Sequence, residues 1–323
     1  MKCLILQPVH ADGLALLEAA GITPVICPDP SLDTVRGLLP GCVAVITRDV
    51  GFPAAYFEAA DALKVIVVHG AGHDAVDKQA AVAHGVLVCN SPGFNARSVS
   101  ELALGLSLSA ARLIPAADRD ERAGHHGFRE RERFSELSGK TALIIGFGAT
   151  GAGLAHMLKA ALGMRMMVYS PRAQDLEGFE RVATLAEGLA QADLISLHTP
   201  MRPETRHLIN AETLRFTKQG AILINTARAG LVDEAALAVA IDDGRIAAAG
   251  LDVYSHDAPQ GPLGASSRVI FTPHLGGATL EALKRTAVGS ARNVLAALSG
   301  QTPATALNAP IGAFAAPDER KAS

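Results

Sequence analysis

A short apolar strand, Thr141 to Ile145, runs directly into the turn Gly146-Phe147-Gly148-Ala149-Thr150-Gly151, and no other feature of the chain constrains its fold so strongly. An alanine- and leucine-rich stretch follows to about Gly163, and a second apolar run, Met164 to Tyr169, comes after it. This order of strand, glycine turn, helix and strand has the spacing of a dinucleotide-binding unit. Gly146 permits the tight turn, Gly148 admits a close approach by a pyrophosphate, and Gly151 lets helix and strand pack together. The N–H groups of the first helical turn then point at the phosphates.

The residue ending the second strand carries further information. An acidic side chain about 20 positions after the turn would accept hydrogen bonds from an adenosine ribose. That position holds Ser170, with Arg172 two residues later. A neutral hydroxyl beside a guanidinium suits a 2′-phosphate, so the expected cofactor is NADP, as NADPH, in preference to NAD.

The 323 residues suffice for two domains of ordinary size. With 49% apolar and only 4% aromatic residues and no Trp, the cores must be built from Ala, Val, Leu and Ile. A net charge of −3 with no long basic block argues against nucleic acid or an anionic membrane as partner. Cys3, Cys27, Cys42 and Cys89 lack CxxC spacing, and His69, His73, His125 and His126 lack metal-ligand spacing, so neither a disulfide frame nor a metal site is expected. The N-terminus has no secretory-signal pattern, and the expectation is a cytoplasmic protein.

Before the glycine turn, residues 3–90 alternate apolar strands (LILQPV, TPVIC, VAVIT, LKVIVV, VLVCN) with helical patterns. One long amphipathic helix is predicted from Asn95 to about Ala117, and a densely charged segment over 118–138 reads as a solvated surface. Strands ending in SLHTP, LINTA and AGLDV and then FTPHLGG continue the second half. A helix from about Thr279 to Ser299 precedes a tail that reads as extended. The predicted architecture is α/β, with two doubly wound parallel-sheet domains and a cleft between them. A flavodoxin-like substrate domain comprises 1–96 plus 286–323, and a Rossmann cofactor domain comprises 97–285.

The ordered motifs NSPGFNARSVSE, GFGATG, LHTPMRPETRHLIN, NTARAGLVDEAAL, AAGLDV and TPHLGGAT, within roughly residues 63–300, resemble the D-2-hydroxyacid dehydrogenase family. The resemblance implies a nicotinamide cofactor, a small 2-keto or 2-hydroxy acid substrate (glyoxylate or hydroxypyruvate being plausible) and a homodimer. It implies catalytic roles for Arg228, His274 and Asp257, the last standing where the family carries Glu. Asp252 is implied as acceptor for the nicotinamide amide. Further cofactor contacts are implied for Ala149, Thr150, His198, Thr199, Pro200, Thr226, Ala227 and Gly276.

The chemistry suits these residue types. Reduction of a keto carbon leaves charge on oxygen that must be protonated, and histidine is a natural donor near neutral pH. A carboxylate at Asp257 would fix the ring's orientation. Arg228 can grip a substrate carboxylate with a bidentate fork. The loop HGAGHD (69–74) offers backbone N–H groups of Gly70, Ala71 and Gly72 to the same carboxylate. Formate oxidation on this scaffold would call for glutamine in place of that carboxylate. A nicotinamide-sensing co-repressor would need a partner surface that nothing in the sequence advertises.

Overall fold

The computed structural model describes residues 1–308; most of the tail expected to be extended lies outside the described residues. The chain forms two compact units, one of residues 1–95 with the segment from Thr279, the other of Ala96–Ala278. The expected return to the first domain at 286 falls inside the helix Leu280–Leu298, which belongs to the first unit from its Thr279 N-cap onward. The Thr279 hydroxyl accepts the Ala282 N–H at 3.2 Å, so the helix starts there and continues as one rigid element.

The first unit holds a parallel sheet of β1 (Lys2–Ile5), β2 (Thr23–Ile26), β3 (Cys42–Thr47), β4 (Val65–Val68) and β5 (Leu87–Cys89), in the order β2-β1-β3-β4-β5. All its pairings are parallel. Every residue of β4, VIVV, is buried, as expected of a strand covered on both faces. Apolar clusters fill the two faces, and all four cysteines are buried.

The second unit holds β6 (Thr141–Ile145), β7 (Arg165–Tyr169), β8 (Glu180–Arg181), β9 (Leu194–Leu197), β10 (Ala221–Asn225), β11 (Ile246–Leu251) and β12 (Val269–Phe271). Their order is β12-β11-β10-β9-β6-β7-β8, again all parallel. The sheet runs outward from β6 in both directions: β7 and β8 follow on one side, and after β8 the chain crosses back to start β9 on the other side of β6. In sheets of this kind a crevice opens at that point, outside the carboxyl ends of the strands. The short edge strand β8, exposed and charged, is not visible in the hydrophobic pattern.

The single helix predicted from Asn95 to Ala117 is two helices, Ala96–Arg112 and Ile114–Arg122, bent by 59°. Leu113 between them is left-handed, with φ of 49°. The cause is Pro115, which has no N–H for the Ala111 carbonyl and disfavours continuation of the preceding turn. That carbonyl instead accepts the Ser135 N–H at 2.9 Å, which ties the charged segment back onto the first helix. No single helix among the described residues is long and apolar enough to cross a membrane.

Candidate active site

The residues singled out in the second half of the sequence follow the carboxyl ends of successive strands of one sheet. The glycine turn follows β6, Ser170 and Arg172 follow β7, and His198, Thr199 and Pro200 follow β9. Thr226, Ala227 and Arg228 follow β10, Asp252 follows β11, and His274 follows β12. Parallel pairing puts all these loops along one edge of the sheet.

The glycine turn is built by close backbone approaches. Gly146 has φ of 94°, and a Cβ there would lie 2.6 Å from the His198 carbonyl oxygen. A Cβ on Gly151 would stand 2.2 Å from the Gly146 carbonyl oxygen, so the helix Ala149–Leu162 can begin only because that atom is missing. Gly148, its N-cap, has no side chain to cap the helix, and the space where its Cβ would stand is open. The first turn, Ala149 to Gly151, thus faces an open cradle with a helix N-terminus at its floor. The Phe147 N–H donates to the Ser170 hydroxyl at 3.2 Å, joining the turn to the loop after β7. In that loop Arg172 pairs with Glu204 at 2.6 Å.

His198 is buried against this turn. Its N–H donates to Ile145 O at 2.7 Å, and its Nε2 lies 2.8 Å from the Ser196 hydroxyl. Burial pushes its pKa down to about 4, so the ring is neutral at physiological pH.

The turn after β10 is folded by a residue that the sequence reading did not single out. Asn225, almost fully buried, accepts the Ala227 N–H at 3.0 Å and donates to the Arg228 carbonyl at 2.8 Å. These two bonds close the loop that presents Arg228, whose own Nη1 donates to the Ala227 carbonyl at 2.6 Å. A buried asparagine ending an apolar strand, LIN, was the signal available in the sequence. The Thr226 hydroxyl beside it is buried and has no hydrogen-bond partner among the described residues.

Asp252, 2% exposed, organises the turn after β12. Its carboxylate accepts from the Thr272 hydroxyl at 2.6 Å and from the backbone N–H groups of Leu275 at 2.7 Å and Gly276 at 2.9 Å. His274, between them, is exposed and left-handed, with φ of 54°. A non-glycine residue in that conformation is strained, and such strain gathers at functional sites.

Asp257 is exposed and heads the short 3-10 turn Ala258–Gln260. The side chain is one methylene shorter than the glutamate in the family's pattern, and Glu234 anchors the loop by accepting from the Ser255 N–H at 2.7 Å and from the Ser255 hydroxyl.

The loop at Gly70, Ala71 and Gly72 follows β4 in the first unit. Its carbonyls are fastened beneath: the Ser91 N–H donates to Gly70 O at 2.8 Å and Asn90 Nδ2 to Ala71 O at 2.8 Å. Asn90 is held in turn by Asn293 Nδ2 at 3.0 Å. Among the described residues no cluster of His, Cys, Asp and Glu is placed to hold a metal ion.

A glycine cradle at a helix start, an orphaned buried hydroxyl at Thr226 and polar loops along one edge of a parallel sheet fit a nicotinamide dinucleotide. The second unit is thus a Rossmann dinucleotide-binding domain. The description "D-isomer specific 2-hydroxyacid dehydrogenase, NAD binding domain" matches residues 104–276, and the chain belongs to the D-isomer specific 2-hydroxyacid dehydrogenase family.

Among its relatives, D-3-phosphoglycerate dehydrogenase of Methanocaldococcus jannaschii is 36% identical over 96% of this chain and 60% of its own length. The hydroxypyruvate reductase of Thermotoga maritima is 37% identical over 76% of this chain and 81% of its own. A crystal structure of a protein from Thermus thermophilus superposes with a TM-score of 0.86 at 32% identity, covering 95% of this chain and all of that one. The chain spans 53% to 60% of the length of the first phosphoglycerate dehydrogenases it matches.

Proposed function

We propose that this protein is an NAD(P)-dependent oxidoreductase that interconverts a small 2-keto acid and the corresponding 2-hydroxy acid, with NADPH preferred. The observation that carries this reading is the arrangement of Arg228, Asp252 and His274 on loops after the adjacent strands β10, β11 and β12, beside a glycine cradle. The bound nicotinamide supplies or accepts the hydride.

The remaining work falls to the chain. Arg228 binds the substrate carboxylate and polarises the carbonyl. His274 delivers the proton to the carbonyl oxygen in reduction and removes it in oxidation. Asp252 holds the turn carrying His274. The backbone N–H groups of Gly70, Ala71 and Gly72 are further donors to the carboxylate. Ser170 in place of an acid, with Arg172 beside it, supports NADPH. The name of the Thermotoga maritima relative supports hydroxypyruvate, glyoxylate is a second small 2-keto acid of the same class, and the working assembly is a homodimer.

Initial rates for glyoxylate, hydroxypyruvate, pyruvate and 3-phosphohydroxypyruvate, each with NADH and NADPH, test this reading. Turnover of at least one keto acid with a higher kcat/KM for NADPH is expected. No turnover of any overturns the enzyme reading, and equal or better efficiency with NADH overturns the cofactor preference alone. Light scattering on the purified protein checks the dimer.

A further inference from the structure

Arg172 and Glu204 stand on opposite sides of the strand that carries the glycine turn. The sheet order is β9-β6-β7; Arg172 follows β7 and Glu204 follows β9. These strands are two spacings apart, roughly 9–10 Å, and two long side chains close the gap to 2.6 Å between Arg172 Nη2 and Glu204 Oε1. The pair therefore spans the carboxyl end of β6, where Gly146 to Gly151 form the cradle.

Both partners are mounted on braced loops. Arg181 donates to the carbonyls of Ser170 at 2.9 Å and Ala173 at 2.7 Å, which fixes the loop bearing Arg172. Glu204 lies in the turn Pro203–Thr205, closed by the Arg202 N–H on the Thr205 hydroxyl at 2.8 Å and by that hydroxyl on Pro200 O at 2.9 Å. Arg181 directs its guanidinium at backbone carbonyls, whereas Arg172 directs its own at a carboxylate, the charge type that a phosphate would replace.

We infer that Glu204 is a specificity-determining residue: it competes with the cofactor's 2′-phosphate for the Arg172 guanidinium and so limits the preference for NADPH. The inference rests on the proposed NADPH reading. Both side chains are more than half exposed, so the pair is weak enough for a dianionic phosphate to displace it. Removing the Glu204 charge releases the Arg172 guanidinium for the phosphate.

The test is calorimetric binding of 2′,5′-ADP and 5′-AMP, which differ only in the 2′-phosphate, to the full chain at low ionic strength. The variants are Glu204→Gln, Arg172→Ala and the double substitution. Glu204→Gln is expected to tighten 2′,5′-ADP binding about two- to fivefold, the range open to an exposed ion pair, and to leave 5′-AMP unchanged. The gain should vanish in the Arg172→Ala background and fade in high salt. An unchanged 2′,5′-ADP affinity, or an equal gain for both ligands, overturns the role of Glu204. If Arg172→Ala costs no 2′,5′-ADP affinity, the NADPH reading falls as well. A normal loss there, with Glu204→Gln silent, rejects Glu204 alone. Glutamine is isosteric with glutamate at this exposed site, and matched thermal melts confirm that each variant is folded.

Discussion

The carbonyl of Asp252 accepts the backbone N–H of His274 at 3.1 Å, while the Asp252 carboxylate holds the residues on either side of that histidine. The candidate proton donor is thus positioned by a buried acid that ends the neighbouring strand, and its strained backbone persists because the turn around it is over-determined.

Asp252→Asn keeps the shape of the side chain but replaces one acceptor oxygen with an NH2 group that faces donors. At least one of the three bonds is lost, at about 1.5–3 kcal/mol for a bond to a charged group. Denaturant titration should report a destabilisation of that size. The proposed keto acid reduction should fall at least tenfold in kcat, as the His274 turn relaxes. Wild-type stability together with wild-type kcat would show that the turn does not depend on the carboxylate.

Gly151→Ala places a methyl group 2.2 Å from the Gly146 carbonyl oxygen. The obstacle is backbone, so the glycine turn must open. Adenosine-nucleotide binding, read by calorimetry, should drop by more than tenfold, with a loss of stability of about 1–3 kcal/mol. Unimpaired binding would mean that the cradle does not need this close approach.

Burial lowers the His198 pKa to about 4, against about 6.5 in an unfolded chain. Below pH 6.5 the unfolded state takes up a proton that the folded state refuses, so stability falls as pH drops from about 6.5 to about 4. The full contribution is on the order of 3 kcal/mol. His69, also driven to about 4 by burial and by Arg48, acts in the same direction. Urea midpoints should decline over this window, and His198→Gln should flatten the decline whatever it does to stability at pH 7.5. Parallel slopes for wild type and variant would count against the assignment.

Asp257 is exposed, in the loop after β11. Asp257→Asn should therefore leave stability within about 0.5 kcal/mol of wild type, as is usual for such surface positions. If the carboxylate pairs with His274 as the family's does, the reduction rate is expected to fall about tenfold or more. A rate within about threefold of wild type would show that Asp257 is a loop residue.

Local chemistry carried much of the structure in the sequence. Runs such as VIVV and AILIN specify buried parallel strands because a strand covered on both faces needs apolar residues at every position. The glycine spacing specified the turn after β6, since each glycine answers a steric demand within a few residues of itself. Pro115 could have been read as the break between two helices, because its missing N–H is a property of that residue alone. Contacts that join distant segments were not legible. That Asn225 folds the Arg228 turn and that Asp252 is occupied by the His274 turn depend on which strands are neighbours and how their loops close. The pairing of Arg172 with Glu204 depends on β6 lying between β7 and β9. Sequence sets the residue types and the periodicities; strand order and side-chain reach, fixed only when the sheet assembles, decide which of those residues meet.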